Sequence, residues 1–240
     1  MSRGIKIFLR VALFLALFCA CFYVVDKTLQ FKYDDGITPM EDFYSYPEDS
    51  IDVLLLGSSH VGINTDTTIL CNQYGIASYK IWGDTQPLWV SYYDLVEALK
   101  TQHPKVIVLE ALSLFHNIEY SSYANAVKNT MGMHWSRNKL DAIRASYQPS
   151  ELENAFFPLS QYHSRYAELE SKDFSYYFWD DPHSEHNTQN WNVICPMGEP
   201  STTRKTLPLG EKQLKYLKKI IYLCNKNNIP LVVLTAPYTI

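Results

Sequence analysis

The sequence predicts an α/β domain built on a parallel sheet and preceded by one membrane-spanning helix. The first observation is an unbroken apolar run at residues 11–25. The second is a series of short apolar runs from residue 51 onward, separated by stretches with the 3.6-residue period of an amphipathic helix. Strands and helices that alternate in this way form parallel sheets, because each crossover helix returns the chain to the same edge of the sheet.

The composition favours one large globular domain and argues against nucleic-acid binding. Of 240 residues, 47% are hydrophobic and 19% are charged, which is enough apolar material for a substantial core. The formal net charge of -4 provides no basic surface for DNA or RNA. Two of the five cysteines, Cys19 and Cys21, lie in the apolar run, so a disulfide scaffold is not expected.

The apolar run near the N-terminus is long enough to cross a bilayer. Residues 7–9 extend it if the Arg10 side chain reaches toward the headgroups, and residues 7–25 then span about 28 Å as a helix. A cleaved signal peptide is the alternative, but bulky Phe-Tyr-Val at 22–24 occupies the region where a small-residue cleavage site is expected. We therefore expect a retained single-pass anchor.

The charges beside this run predict which side of the membrane the domain occupies. The residues before it carry three basic side chains, whereas Asp26 and Lys27 after it cancel each other. Basic residues flanking a membrane helix stay on the cytoplasmic side, so the rest of the chain is expected outside. The predicted location is the plasma membrane, with residues 1–25 as cytoplasmic tip and anchor.

The folded domain is expected to begin at residue 51. Residues 26–50 are polar and aromatic and contain turn residues, so they are interpreted as a juxtamembrane connector. The predicted elements that follow are a strand at Ile51–Leu56, a helix at about 66–74 between Asp66 and Gly75, a strand at 76–82, a helix opened by Pro87, and a strand at 105–110.

The regular alternation stops after Glu110 and resumes only at residue 211. Residues 111–209 are interpreted as short helices and loops inserted over the sheet. Residues 211–227 then show an apolar stripe beside lysines, and residues 229–235 form the next predicted strand. No closing helix follows before Ile240, where a doubly wound sheet normally has one, so the sequence indicates that the domain at 51–240 is truncated at its C-terminal end.

Polar residues that follow the predicted strands are the candidates for a functional site. In open parallel sheets, ligands bind beyond the carboxyl ends of the strands. Those positions hold Gly-Ser-Ser-His at 57–60, Gly-Asp at 83–84 and Glu110. A serine at a strand-to-helix turn suits a nucleophile that faces a developing oxyanion, and it equally suits a helix cap. His60 is interpreted as a pocket-lining or capping residue.

Three strings together resemble the SGNH (GDSL-like) hydrolase superfamily. They are Asp-Val-Leu-Leu-Leu-Gly-Ser-Ser-His at 52–60, Ile-Trp-Gly at 81–83 and Pro-Lys-Val-Ile-Val-Leu-Glu at 104–110. The resemblance extends over residues 51–240. Within the superfamily it points to the membrane-anchored extracellular branch that includes the teichoic-acid D-alanyl-transfer protein and the alginate-acetylation proteins. It implies a three-layer, flavodoxin-like domain.

The resemblance assigns roles to individual residues. Ser59 corresponds to the catalytic nucleophile, and Ser58 stands in the aspartate position before it. Gly83 corresponds to the second-block glycine, whose N–H joins that of Ser59 in the oxyanion hole. The third block departs from the pattern, because Glu110-Ala-Leu-Ser stands in place of Gly-x-Asn-Asp. The asparagine donor is therefore missing or has moved, with Asn117 as the candidate.

The general base is expected outside the sequence given. In the family, an Asp-x-x-His block after the last strand supplies the base, and that position falls beyond Ile240. One such string, at 180–183, comes before the helix and strand that should precede the catalytic pair. The nearby His-Ser-Glu-His at 183–186 lacks the His-Glu-x-x-His spacing of a helix-borne zinc site, so no metal or cofactor is expected.

The resemblance implies a serine esterase or acyltransferase that works outside the cytoplasm. Ser59 would take an acyl group and pass it to, or remove it from, a cell-surface polysaccharide or teichoic-acid-like polymer. The implied partner is a multi-pass membrane O-acyltransferase that brings the acyl group across the bilayer. The alternative is a non-catalytic scaffold or glycan-binding protein with the same fold. Four tryptophans could stack on sugar rings or be buried: Trp82, Trp89, Trp135 and Trp179.

Overall fold

A computed structural model describes residues 2–29, 36–156, 159–169, 171–174 and 208–235. These residues form two compact units. The first contains the described residues of 1–32 and 153–179, and the second contains those of 33–152 and 180–240.

The elements follow one another in this order. The helices are α1 (Arg3–Leu29), α2 (Ile37–Phe43), α3 (Ser59–Asn64), α4 (Thr67–Tyr74), α5 (Leu88–Ala98), α6 (Tyr123–Met131), α7 (Arg137–Ser146), α8 (Leu152–Ala155), α9 (Leu159–Tyr162) and α10 (Glu211–Lys226). The strands are β1 (Val53–Ser58), β2 (Ser78–Gly83), β3 (Val106–Glu110) and β4 (Leu231–Leu234). Short 3-10 helices cover Leu112–Phe115, Pro149–Glu151, His163–Ala167 and Ser171–Phe174.

The first unit is built on the long apolar helix predicted at the N-terminus. Helix α1 has 27 residues, none of them buried, and its most apolar stretch reaches a mean hydropathy of 2.4. It is the one described helix long and apolar enough to cross a membrane. Its length and composition suit a membrane anchor or a signal sequence.

The second unit is an α/β domain with a four-stranded parallel sheet in the order β2-β1-β3-β4. The three predicted strands at 51–56, 105–109 and 229–234 therefore share one sheet, as expected. Strand β1 begins and ends two residues later than predicted. The reason is that Gly57 and Ser58 continue the ladder and pair with Trp82 and Gly83 of β2.

The helix boundaries follow the capping signals in the sequence. Asp66 caps α4 by accepting a hydrogen bond from the backbone N–H of Thr68 at 2.8 Å. Gly75 ends α4 with a φ of 65°, a left-handed conformation that glycine adopts without a Cβ clash. Pro87 directly precedes α5, as predicted.

The main core lies between the sheet and helices α2, α5 and α10. Leu54 and Leu56 of β1 are buried against it together with Trp89 of α5 and Ile220 of α10. The outer strand β4 is less well covered, because Val232 and Val233 are each about half exposed. The core is therefore deepest at the central strand β1.

Two segments pack differently from the sequence-based expectation. Residues 26–50 were interpreted as a connector, but Ile37, Met40 and Phe43 on one face of α2 are buried in the second unit. Their spacing of three residues is that of a helix face, which polar neighbours obscured. Within the predicted insertion, helices α6 and α7 belong to the second unit, whereas the described residues of 153–179 join the first.

Candidate functional site

The carboxyl ends of β1 and β3 meet at the topological switch point of the sheet. The chain leaves β1 toward β2 on one side of the sheet and later leaves β3 toward β4 on the other. Crevices at such points are where open α/β sheets bind their ligands. The last residue of β1 is Ser58 and the last residue of β3 is Glu110, so two of the predicted site strings converge here.

A buried hydrogen bond joins the ends of β1 and β3 at this switch point. The Ser58 hydroxyl donates to Oε2 of Glu110 at 3.0 Å, and the other carboxyl oxygen accepts the backbone N–H of Leu112 at 2.6 Å. Ser58 is 7% exposed and Glu110 is 1% exposed. Buried polar groups need such partners, because an unsatisfied one costs about 1–3 kcal/mol. Glu110 therefore ties the end of β3 to the turn after β1.

Gly57 allows the two strands to approach this closely. A Cβ at this position would lie 2.6 Å from Cβ of Glu110 and 2.7 Å from Cγ2 of Val61. Both distances are too short for carbon atoms, so any side chain here would push β1 away from β3 or α3 away from β1. The glycine of the Gly-Ser-Ser-His string is thus required for packing.

Of the two adjacent serines, the structure assigns the helix cap to Ser58. Ser58 is the N-cap of α3, and its Oγ accepts the backbone N–H of His60 at 3.4 Å. Ser59 is the first residue of α3 and is partly exposed. Across the described part of the chain, no hydrogen bond engages the Ser59 hydroxyl. Its role as nucleophile stays a prediction.

Strand β2 fixes the position of the short helix that carries Ser59. The buried Lys80 donates from Nζ to the carbonyl oxygens of Gly62 at 2.9 Å and Thr65 at 3.0 Å. Burial lowers the pKa of Lys80, and the nearby charge of Asp66 opposes that shift. Gly62 in turn lies flat against the Trp82 ring, where a Cβ would come within 2.4 Å. Side chains of β2 therefore hold both the end and the middle of α3.

Asn129 of α6 holds the turn after β2, a contact that the sequence analysis did not predict. Gly83 pairs in register with Ser58, and a Cβ on Gly83 would lie 2.1 Å from Oδ1 of Asn129. The amide Nδ2 of Asn129 donates to the carbonyl oxygen of Asp84 at 3.2 Å. Oδ1 is buried and has no hydrogen-bond partner among the described residues. The one signal in the sequence was the position of Asn129 three residues after Ala126, which places both on one face of a helix.

The other predicted site residues are not all assembled here. Asn117 is exposed and lies beyond the 3-10 helix that follows β3, so its role as oxyanion donor stays a prediction. The strings at 180–183 and 183–186 lie outside the described residues. Among the residues that are described, no group of three His, Cys, Asp or Glu side chains is placed to hold a metal ion.

The tryptophans differ in their availability to a sugar. Trp89 is fully buried, and its Nε1 donates to Oγ of Ser146 at 3.1 Å, so it is a core residue. Trp82 covers Gly62, as described above. Trp135 is 59% exposed, with Nζ of Lys139 4.6 Å from its ring centroid. Trp179 lies outside the described residues. Only Trp135 of the three that are described presents most of its ring to solvent.

Comparison with known proteins adds no assignment. No protein-family model, curated protein or solved structure matches this chain. The α/β fold, the strand order and the N-terminal apolar helix therefore rest on the structure itself.

Proposed function

We propose that this protein is a membrane-anchored serine esterase or acyltransferase of the SGNH type. It acts outside the cytoplasm on acyl groups of a cell-surface polysaccharide or teichoic-acid-like polymer. The carrying observation is the position of Ser59, which opens a helix directly after the central strand at the topological switch point. The strand order 2-1-3-4 is also that of the first four strands of a flavodoxin-like sheet, which supports the same assignment.

The chemistry proposed for Ser59 is acyl transfer through a covalent ester. Its hydroxyl oxygen attacks the carbonyl carbon of the acyl donor, and the donor alcohol leaves with a proton. Water or a polymer hydroxyl then attacks the acyl-enzyme ester, which regenerates Ser59. The backbone N–H groups of Ser59 and Gly83 stabilise the oxyanion in each step. Gly83 is suited to this role because it pairs with Ser58, next to the nucleophile.

The proposed location is supported by α1 and its flanking charges. An exposed apolar helix of 27 residues with basic residues before its apolar run supports a retained anchor with the domain outside the cytoplasm. A tethered domain of this kind meets polymers at the cell surface. A multi-pass membrane O-acyltransferase is the proposed partner that supplies the acyl group.

The test is Ser59-dependent cleavage of acyl esters. Hydrolysis of p-nitrophenyl acetate and release of acetate from acetylated glycans are measured for residues 1–240 and for any longer form that the gene encodes. Ser59→Ala is expected to lower turnover about a thousandfold or more wherever a base is present. A base beyond residue 240 would confine this activity to the longer protein.

The remaining outcomes separate the competing explanations. Ser59-dependent activity of residues 1–240 alone would place the base within them, with His183 as the first candidate. If Ser59→Ala leaves the turnover of every substrate unchanged in both proteins, the enzyme proposal is contradicted. Retained binding of the glycans in that case would support the scaffold or glycan-binding alternative.

A further inference from the structure

The last turn of α1 lies just outside the apolar stretch that would cross the membrane. The run ends at Val25, and the four residues to Leu29 extend the helix by about 6 Å. The polar layer on each face of a bilayer is about 5–7 Å thick, so these residues fall at headgroup depth once α1 is inserted. Chain segments bonded to this turn are therefore held at the same depth.

Two side chains from the second half of the first unit bind this turn. The Tyr162 hydroxyl donates to Oδ1 of Asp26 at 2.6 Å, and Nη1 of Arg165 donates to the carbonyl oxygen of Leu29 at 2.7 Å. The carbonyls that end a helix lack partners within it, and an arginine is well suited to satisfy one. Nη2 of Arg165 also donates to Oδ1 of the buried Asp173 at 3.0 Å.

These contacts make one polar cluster from three separate segments. Tyr162 is 1% exposed, and burial together with the Asp26 carboxyl raises the pKa of its hydroxyl. Arg165 connects the end of α1 to the 3-10 helix at Ser171–Phe174 through Asp173. We call residues 159–169 and 171–174 the collar. Its position relative to the end of α1 is set by Tyr162 and Arg165.

The collar also carries two large aromatic side chains that are mostly exposed. Tyr166 is 73% exposed and Phe174 is 67% exposed. Aromatic side chains are enriched where membrane proteins cross the headgroup layer, because their rings prefer the boundary between hydrocarbon and water. Each exposed ring would find a more favourable environment at this boundary than in water.

We propose that the collar rests on the outer leaflet and that Tyr166 and Phe174 enter the lipid headgroup layer. This inference rests on the proposed anchoring of α1, because the depth of the collar is measured from that helix. The occupant of the aromatic surface is the same bilayer that α1 crosses. The first unit is then attached to the membrane in two ways, by α1 across the bilayer and by the collar on its outer leaflet.

The experiment measures the depth of each ring in vesicles of phosphatidylethanolamine and phosphatidylglycerol. Tyr166→Trp and Phe174→Trp are compared with Tyr74→Trp, an equally exposed aromatic position in the second unit at 68% exposure. The added tryptophan emission is recorded with ordinary lipids and with lipids brominated high on their acyl chains. At positions 166 and 174 we expect the brominated lipids to remove about half of this emission or more, with little loss at position 74.

Flotation of the same vesicles in alkaline carbonate separates the anchor from the collar. A protein that floats but shows no quenching at positions 166 and 174 would overturn the collar while leaving the anchor intact. Equal quenching at position 74 would overturn it as well, since the contact would not be specific to the collar. A protein that does not float would overturn both proposals.

Discussion

The hydroxyl of Ser58 donates a hydrogen bond of 3.0 Å to Glu110, and this contact joins the ends of the two central strands. Because Ser59 comes next in the chain, the bond also fixes where the candidate nucleophile begins its helix. Ser58 therefore has a structural role that is distinct from the nucleophile role proposed for Ser59. Each can be tested on its own.

Replacing the two serines should affect different properties. Ser58→Ala removes one donor to the buried Glu110 carboxyl and the cap of α3, so we expect the free energy of unfolding to fall by about 1–3 kcal/mol. Ser59→Ala removes a partly exposed hydroxyl and should change it by less than about 0.5 kcal/mol. Urea unfolding followed by tryptophan fluorescence measures both. A larger loss for Ser59→Ala than for Ser58→Ala would contradict this division.

The close contact between Gly83 and Asn129 predicts a non-additive pair of substitutions. Gly83→Ala should lower the free energy of unfolding by about 1–3 kcal/mol, because the new methyl group would overlap Oδ1 of Asn129. Asn129→Ala should relieve part of that cost in the double variant. Gly75→Ala is the control, since a Cβ there meets nothing within 4 Å. Its cost comes from the left-handed backbone and should simply add to that of Asn129→Ala.

Lys80 should act on Ser59 through the position of α3. Lys80→Met keeps the apolar stem but loses both hydrogen bonds to the end of this helix. We expect the free energy of unfolding to fall by about 1–3 kcal/mol and any Ser59-dependent turnover to fall with it. Lys105→Met removes an exposed ion pair with Asp52 and should have little effect on either measurement. Full activity of a folded Lys80→Met protein would rule out this positioning role.

Asp42 and Asp66 should give the stability opposite dependences on pH. Burial, with a smaller contribution from the charge of Glu41, raises the pKa of Asp42 to about 6 in the folded protein. The folded state then holds the Asp42 proton more tightly than the unfolded state, whose value is 3.8. The stability that this proton contributes is complete below that value and is lost as the pH rises through about 6. Asp42→Asn should remove this loss.

Asp66 supplies the matched control. Hydrogen bonds from Thr68 lower the pKa of Asp66, so its contribution is present at neutral pH and is lost as the pH falls. Asparagine also caps helices well, so Asp66→Asn keeps the start of α4. Melting temperatures should be measured from about pH 2 to pH 8. Relative to Asp42→Asn, wild type should lose stability as the pH rises from about 4 through about 6. Relative to Asp66→Asn, wild type should lose stability as the pH falls below about 4. Parallel curves for all three proteins would refute both assignments.

The orientation in the membrane can be tested in intact cells or protoplasts. An added protease should digest the α/β domain but leave an epitope at the extreme N-terminus protected, because the basic residues before α1 favour the cytoplasm. Permeabilised cells provide the control, since both parts should then be accessible. Protection of the domain in intact cells would contradict the positive-inside argument.

Much of the sheet could be predicted because its signals are local. The runs that became β1 and β3 are continuously apolar, and Asp66, Gly75 and Pro87 mark helix ends through their own backbone preferences. Helix α2 was missed because its three buried residues are too few to stand out from polar neighbours.

The remaining differences depend on contacts between distant residues. Asn129 lies within the irregular region and contacts Gly83 of an earlier strand, and no local pattern indicates which turn it will reach. The pairing of Tyr162 with Asp26 joins positions 136 residues apart. The assignment of Ser58 rather than Ser59 as the cap of α3 also depends on a distant residue, because Glu110 on the neighbouring strand accepts a hydrogen bond from the Ser58 hydroxyl.

The pairing of β3 with β4 sets the order in which the sheet can assemble. Only a short segment of chain separates Val53 from its partner Ser78. Most of the second half of the sequence separates Ile107 from its partner Leu231. Closing a loop about five times longer costs about 1.4 kcal/mol more in chain entropy. We therefore expect β2, β1 and β3 to associate first and β4 to dock last. In a protein of residues 1–240, Val232 and Val233 are half exposed, so the amides of β4 should exchange with solvent deuterium sooner than those of β1.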